Sequence, residues 1–388
     1  MRSKYSTHLY VIVFFASNSA LMPFLGFWFS EQGLSNQQIG FLSSLGPLIG
    51  LLAQPLWGML SDKYGIQKLI LFVCILITPL IAFGYLWGGS VIMPLVLTSL
   101  VYSFFYCAVM PLSDSLVAAH ARLYGQSYGS IRVLGSISFG FVIIIIGFIY
   151  NRFGLHWMFT ANLIMMLLVA GALLGVRSDG ERPAVYKGSL FAGALQLLKQ
   201  RSFMFFLLLV VLMSMGSNFH KVFFPVFVAQ LGGDVSGRIG VLNAVSSLGE
   251  IPLFMLSGYL IRKFGYFPIL AVLAIGGVFR WGLLTFEPSY AAMIVSQAFH
   301  GVTFALFMAA GVTFVYHISP DGLKNTGQTL FAVVNMNITN VIASNGGGWI
   351  LDHSSFAVLF RVGAVCSLVA ALCFIALSFK MKVRVDSD

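Results

Sequence analysis

Charge is what this chain has least of. Asp, Glu, Lys and Arg make up 9% of its 388 residues, where a water-soluble domain carries about a quarter. The shortage excludes an ordinary soluble fold. Cysteine is rare as well. Cys74, Cys107, Cys366 and Cys373 lie singly in apolar runs, without the paired spacing of a metal site. They read as small hydrophobic packers, silent about the redox compartment. No glycine-rich loop closes on Lys-Ser/Thr, and neither a metal-ligand cluster nor a nucleophile triad is visible. Catalytic chemistry, a metal and an organic cofactor are therefore not expected.

What the chain has in excess is apolar length. Hydrophobic residues make up 59% of it. A membrane-crossing helix needs ~20 mostly apolar residues, and roughly twelve such stretches consume nearly the whole sequence. They are read over 8–29, 37–59, 68–87, 91–118, 128–150, 155–176, 203–230, 237–259, 267–285, 290–316, 325–350 and 356–379. The first is too long for a signal-peptide core and shows no small-residue cleavage site, so it reads as a retained span. One connection, 177–202, is long and polar; within it Leu190 to Leu198 has helical apolar spacing and should lie along the cytoplasmic surface. The expected fold is an all-α integral membrane protein of twelve transmembrane helices. A six-helix bundle over 1–176 and a second over 203–388 are joined by that linker.

A formal charge of +10 could point to nucleic acid, but its distribution argues otherwise. Arg2, Lys4, Lys63, Lys68, Arg122, Arg177, Arg262, Lys263, Lys324 and Lys380 fall where alternating spans put one side, against Arg152, Arg238 and Arg361 on the other. This is the positive-inside bias. It puts both termini in the cytoplasm and the chain in the inner membrane of a cell. Lipids and a small-molecule substrate are the expected partners, with no nucleic acid and a monomer as the working unit.

The halves carry a trace of duplication. GMLSDKYG from Gly58 to Gly65 follows the second stretch, and GYLIRKFG from Gly258 to Gly265 follows the eighth. Both read G-x-L-x-x-K-aromatic-G. Repeated halves with a site between them near the bilayer midplane are a secondary-transporter architecture. Pseudo-symmetric bundles are therefore expected.

Against this apolar background, Asp114, Arg132, Lys221, Glu250, Arg280 and His300 stand inside the stretches. A charge in hydrocarbon costs several kcal/mol unless it is paired or faces a wet cavity, so these residues mark a polar pathway. Asp114 and Arg132 lie on consecutive antiparallel stretches at similar depth. An Arg–carboxylate pair is bidentate and directional; this one either ties two helices together or opens to hold a solute. A carboxyl in low dielectric favours its neutral form and can carry a proton, as Glu250 could, with Arg280 stabilising the carboxylate after release. His300 either relays protons or is a satisfied packing residue. Two acids against three bases leave Lys221 unmatched. It binds a substrate anion, snorkels outward or loses its proton. Asn18, Tyr102, Tyr106, Phe139, Asn218, Asn335 and Asn337 could complete a pocket, the aromatics stacking on sugar rings or aromatic acids alike. Glycines such as Gly135 read as close-packing positions.

The run GMLSDKYGIQK from Gly58 to Lys68 resembles the loop signature of the major facilitator superfamily. Glycines such as Gly58 and Gly65 permit a tight turn. Asp62 can meet a helix N-terminus or a base and lock the cytoplasmic side, while Lys63 and Lys68 anchor the loop. Arg262 replaces Asp62 in the second copy, so the lock belongs to the first. Within the superfamily, Gln54 to Asp62 resembles the lactose permeases. Pro111 to Val117, Tyr128 to Ser136, Gly249-Glu250, Val278 to Gly282 and His300 to Phe304 resemble the phenylpropionate permeases. The resemblance implies the major facilitator fold, a substrate role for Asp114 and Arg132, and proton coupling through Glu250, Arg280 and His300. Departures are visible. Thr303 stands where lactose permease has a second acid, its helix-seven acids are missing from Gly216 to Lys221, and its helix-eleven lysine is replaced around Val334-Asn335. Glu250 or Asp114 then remains as proton carrier.

These residues favour a proton-coupled symporter, with the proton as coupling ion, for uptake of a sugar or an aromatic carboxylate by alternating access. An efflux antiporter is the alternative. It is disfavoured because the fifth stretch, Tyr128 to Tyr150, lacks the proline of the drug-antiporter signature. A receptor or scaffold without transport has no use for complementary buried charges in both halves.

Overall fold

The computed structural model describes residues 5–176, 190–286, 289–320 and 323–380. Among them the regular structure is entirely helical. The first half runs α1 (Ser6–Asn18), α2 (Met22–Glu31), α3 (Asn36–Tyr64), α4 (Gln67–Gly88), α5 (Ile92–Leu123), α6 (Tyr128–Phe153) and α7 (Trp157–Gly175). After α8 (Leu190–Leu198) come α9 (Arg201–Ala229), α10 (Val235–Phe264), α11 (Tyr266–Leu283), α12 (Tyr290–Ala298), α13 (His300–Ile318) and α14 (Lys324–Ala332). A π-helix at Val333–Ile338, α15 (Thr339–His353) and α16 (Phe356–Lys380) close the chain. Among the described residues, eleven helical runs are long and apolar enough to cross a membrane. The remaining expected span, the eleventh in chain order (α14 through α15), carries Asn335, Asn337, Asn340 and Asn345 and is interrupted by the π-helix.

The duplicated octet ends equivalent helices for one reason. Gly65 caps α3 at φ 65°, and Gly265 follows α10 at φ 79°. Both are left-handed positions that a side chain resists. The preceding basic–aromatic pair also repeats. Lys63 Nζ sits 5.2 Å from the Tyr64 ring centroid, and Lys263 Nζ 5.3 Å from that of Phe264.

The contacts divide the chain into two compact units, Met1–Val185 with Val228–Ala244, and Tyr186–Phe227 with Val245–Asp388. The first packs α1 against α6 and α7, and α5 against α3 and α4. Its core includes Tyr10, Phe14, Leu71, Ile75, Ile131 and Val169. Backbone meets backbone where α6 crosses the start of α10. A Cβ on Gly147 would lie 2.6 Å from the Ser236 carbonyl oxygen, and one on Gly240 2.6 Å from that of Ile143. In the second unit α11 packs along α16 and α13, around Phe203, Val210, Leu270, Leu273, Phe314 and Phe374. Residues 177–189 of the expected linker lie outside the described residues. The helix expected from Leu190 to Leu198 is present as α8, and Leu197 inserts fully buried into the second unit's core.

Three expected single helices are interrupted. The first span breaks at 19–21, between α1 and α2. Pro23 cannot donate to the helical ladder, and Tyr150 Oη donates to the Ala20 carbonyl at 2.8 Å. The tenth breaks at Phe299, immediately before His300. The eleventh contains the π-helix, where Thr339 Oγ1 donates to the Val334 carbonyl five residues back.

Candidate functional site

The second unit holds a polar cluster on α10, α11, α12 and α13. Gly301 creates it. A Cβ there would lie 2.6 Å from the Gly249 carbonyl carbon, so only glycine lets α13 approach α10 this closely. The neighbouring residues on each helix then meet. His300 Nε2 lies 3.0 Å from Glu250 Oε1, with side chains 19% and 18% exposed. Arg280, fully buried on α11, donates through one terminal nitrogen to Thr303 Oγ1 and through the other to Gln297 Oε1, both at 3.1 Å. Its guanidinium carbon lies 4.4 Å from the Trp281 ring centroid. The Trp281 ring fits against α9 because Gly216 has no Cβ. Arg280 Nε and His300 Nδ1 are buried and have no hydrogen-bond partner among the described residues.

Among the described residues Arg280 makes no ion pair with the Glu250 carboxylate. His300 takes the carboxylate, and Thr303, three residues on, takes the guanidinium. Residues three apart share a helix face, so α13 bridges Glu250 and Arg280 and holds them as separate stations.

α9 and the eleventh span share a second polar seam. Ser214 Oγ donates to Asn335 Oδ1, and Asn340 Nδ2 donates to Asn218 Oδ1 at 3.0 Å. Ser214 and Asn218 are four residues apart, whereas Asn335 and Asn340 are five apart. The π-helix supplies the extra residue that brings both asparagines to the same face. Asn337 on the same turn is half-buried, with no hydrogen bond to a described residue. Lys221 on α9 is exposed.

In the first unit the expected Asp114–Arg132 ion pair is absent. Tyr128 Oη donates to Asp114 Oδ1 at 2.8 Å. Arg132 lies with its guanidinium carbon 3.8 Å from the Phe15 ring centroid and reaches Ser136 Oγ at 3.5 Å. Tyr128 precedes Arg132 by one turn and occupies the approach to the carboxylate. Phe15 reaches under the guanidinium because a Cβ on Gly135 would collide with its ring. Elsewhere in this unit, Tyr106 Oη donates to Asn18 Oδ1 at 2.7 Å, at the break between α1 and α2. Tyr102 stacks on Tyr106 with centroids 5.0 Å apart. Phe139 packs, half-buried, against the first unit's core.

The loop residues make no hydrogen bond or ring contact with the Asp114 or Arg132 side chains. Asp62 is exposed and makes no hydrogen bond or ion pair with a described residue. Gly58 faces open space. Lys68 does more than anchor the loop: its Nζ donates to the carbonyls of Leu174 and Val176 at 3.1 and 2.7 Å, capping the end of α7.

Sequence reasoning misses Gln297, Tyr128, Phe15 and Asn340 as partners. Gln297 has a signal, an amide in an apolar span three residues before His300. Tyr128 opens one of the permease-like motifs, but nothing there marks it as the partner of Asp114. Phe15 is one of 37 phenylalanines, and nothing local distinguishes it.

Apolar spans filling the chain, with ionisable groups paired and buried inside them, define a polytopic membrane transporter. The chain belongs to the MFS_1-like family, whose model matches residues 4–362, and is thus a secondary transporter of the major facilitator superfamily. It is 26% identical over 371 residues to a maltose permease of Geobacillus stearothermophilus, covering 95% of this chain and 93% of that one. It is 26% identical over 368 residues to a probable 3-phenylpropionic acid transporter of Escherichia coli (strain K12), covering 92% and 93%. The fold is that of the crystal structure of the nucleoside transporter NupG. The TM-score is 0.81, with 17% identity, over 98% of this chain and 100% of that one.

Proposed function

We propose that the protein is a proton-coupled symporter that takes up a small organic solute, a sugar or an aromatic carboxylate, by alternating access across the inner membrane of a cell. Both termini face the cytoplasm. Glu250, Arg280 and His300 carry the coupling. Asp114, Arg132, Asn18, Tyr106, Phe139, Asn218, Lys221 and Asn335 serve the solute, and Gly58, Asp62, Lys63 and Gly65 form the gating loop. The proton is the coupling ion, no other cofactor takes part, and the working unit is a monomer among lipids.

The 3.0 Å contact between Glu250 and His300, within two membrane spans, carries this reading. A carboxylate facing an imidazole can exchange a proton without leaving an isolated charge in low dielectric. Arg280 beside it, held by neutral oxygens, keeps a permanent positive charge near the carboxylate through the cycle. The names of the maltose and 3-phenylpropionic acid relatives support the two solute classes.

The test is solute-driven alkalinisation of the medium outside proteoliposomes. Wild type alkalinises it when the right solute is added. Glu250→Gln binds the solute but no longer couples uptake to the pH gradient, and Arg132→Ala loses binding. Proton-driven uptake retained in both variants overturns the assignment.

A further inference from the structure

Lys221 stands apart from the other intramembrane charges. It is the one exposed residue from Leu209 to Ala229, and every residue from Val222 to Val228 is buried. That exposure is on a different side of the helix from its exposed apolar residues. The exposed apolar side of α9 is marked by Met204, Phe205 and Leu208. At 3.6 residues per turn, Lys221 lies roughly 140° round the helix from Leu208 and about 40° from Ser217. It therefore shares the polar side of α9 with Ser214, Ser217 and Asn218.

Its depth is equally telling. Lys221 is about 30 Å along α9 from Arg201 and about 12 Å from Ala229, which keeps it inside the hydrocarbon span. The other Asp, Glu, Lys and Arg side chains named at such depth are engaged, while the adjacent His220 has ring contacts but no hydrogen bond at Nε2. Glu250 faces His300, Asp114 accepts from Tyr128, Arg280 is held by Thr303 and Gln297, and Arg132 lies on Phe15. Among the described residues Lys221 makes no hydrogen bond, ion pair or ring contact. A cation kept bare at membrane depth needs a wet surrounding and an anion to meet.

We infer that Lys221 binds the carboxylate of the transported solute, and that the substrate class is therefore organic acids rather than neutral sugars or nucleosides. This deepens the proposed function and rests on its assignment of Lys221 to the solute. An ammonium on a flexible stem suits a carboxylate that must be released at each cycle, because it is a point charge and not a bidentate clamp. Ser217, half-buried on the same side of the helix, offers a neutral hydroxyl for the rest of the solute.

The experiment uses the full-length protein purified in nanodiscs, with binding measured calorimetrically and no pH gradient present. Benzoate, phenylacetate and hexanoate are each compared with their uncharged amides, and maltose and uridine serve as neutral solutes. Wild type binds at least one acid more tightly than its amide by on the order of tenfold, the scale of one charge-assisted contact. Lys221→Gln abolishes that preference while leaving amide binding in place, and Lys221→Arg keeps it. Binding of none of the acids, equal binding of acid and amide, or an acid preference that survives Lys221→Gln overturns the inference. The two readings fail separately. Acid preference without proton-driven uptake sinks symport alone. Proton-driven uptake of maltose or uridine, with no acid bound, sinks the organic-acid assignment alone.

Discussion

Single side chains in this protein repair backbone defects as often as they line a site. Pro111 removes the N–H that would bond the Cys107 carbonyl within α5, and Gln54 Nε2 donates to that carbonyl from α3 at 3.1 Å. Three residues on, Trp57 Nε1 donates to the Phe104 carbonyl at 2.7 Å. The Gln54-to-Trp57 part of the permease-like loop is thus a clamp on a helix with a proline inside it. Lipid offers no replacement donor. Gln54→Leu should lower stability by about 1 kcal/mol or more. The same change in a Pro111→Ala background should be nearly neutral, since the carbonyl regains its ladder partner. A double-mutant cycle on the melting temperature in detergent measures the difference; additive effects would show that the clamp is incidental.

Elements meet where glycine lets them. The Gly249–Gly301 approach brings Glu250 to His300, so Gly301→Ala should part α10 from α13 and break that contact. The expected result is a protein that still binds its solute while proton-coupled accumulation falls, as in Glu250→Gln. At Gly346 an added Cβ would meet nothing within 4 Å, which provides the control: Gly346→Ala should transport normally. Equal behaviour of the two variants, read as solute accumulation against the pH gradient, would detach the glycine contact from coupling. The spans themselves were legible from apolar length alone, and α8 from nine residues of apolar spacing. The breaks were less so. Pro23 is a local signal for the first, although apolar length alone reads 8–29 as one span, and the π-helix had no local signature beyond an unusual run of asparagines.

For the whole molecule, charge asymmetry sets orientation. Basic residues gather at one set of span ends, and the proposed cytoplasmic placement of both termini rests on the positive-inside rule. Epitope tags at either end should be protease-accessible in inside-out vesicles and protected in right-side-out ones. A tag exposed only in right-side-out vesicles would reverse the topology, and with it the assignment of the gating loop to the cytoplasmic face.

The amino-acid sequence alone determined that this chain spans a membrane, where its spans run, and which scarce ionisable groups lie inside them. Those properties sum locally, since about 20 residues decide whether a segment prefers lipid to water. Partner choice was decided only in three dimensions. Asp114 turns to Tyr128 and not to Arg132, Glu250 to His300 and not to Arg280, and Lys221 to no described residue. Such pairings depend on helix rotation and separation to within an ångström or so. Those are set by a missing Cβ at Gly135 and Gly301 and by one extra residue in a π-turn, and no property of the paired residues encodes them.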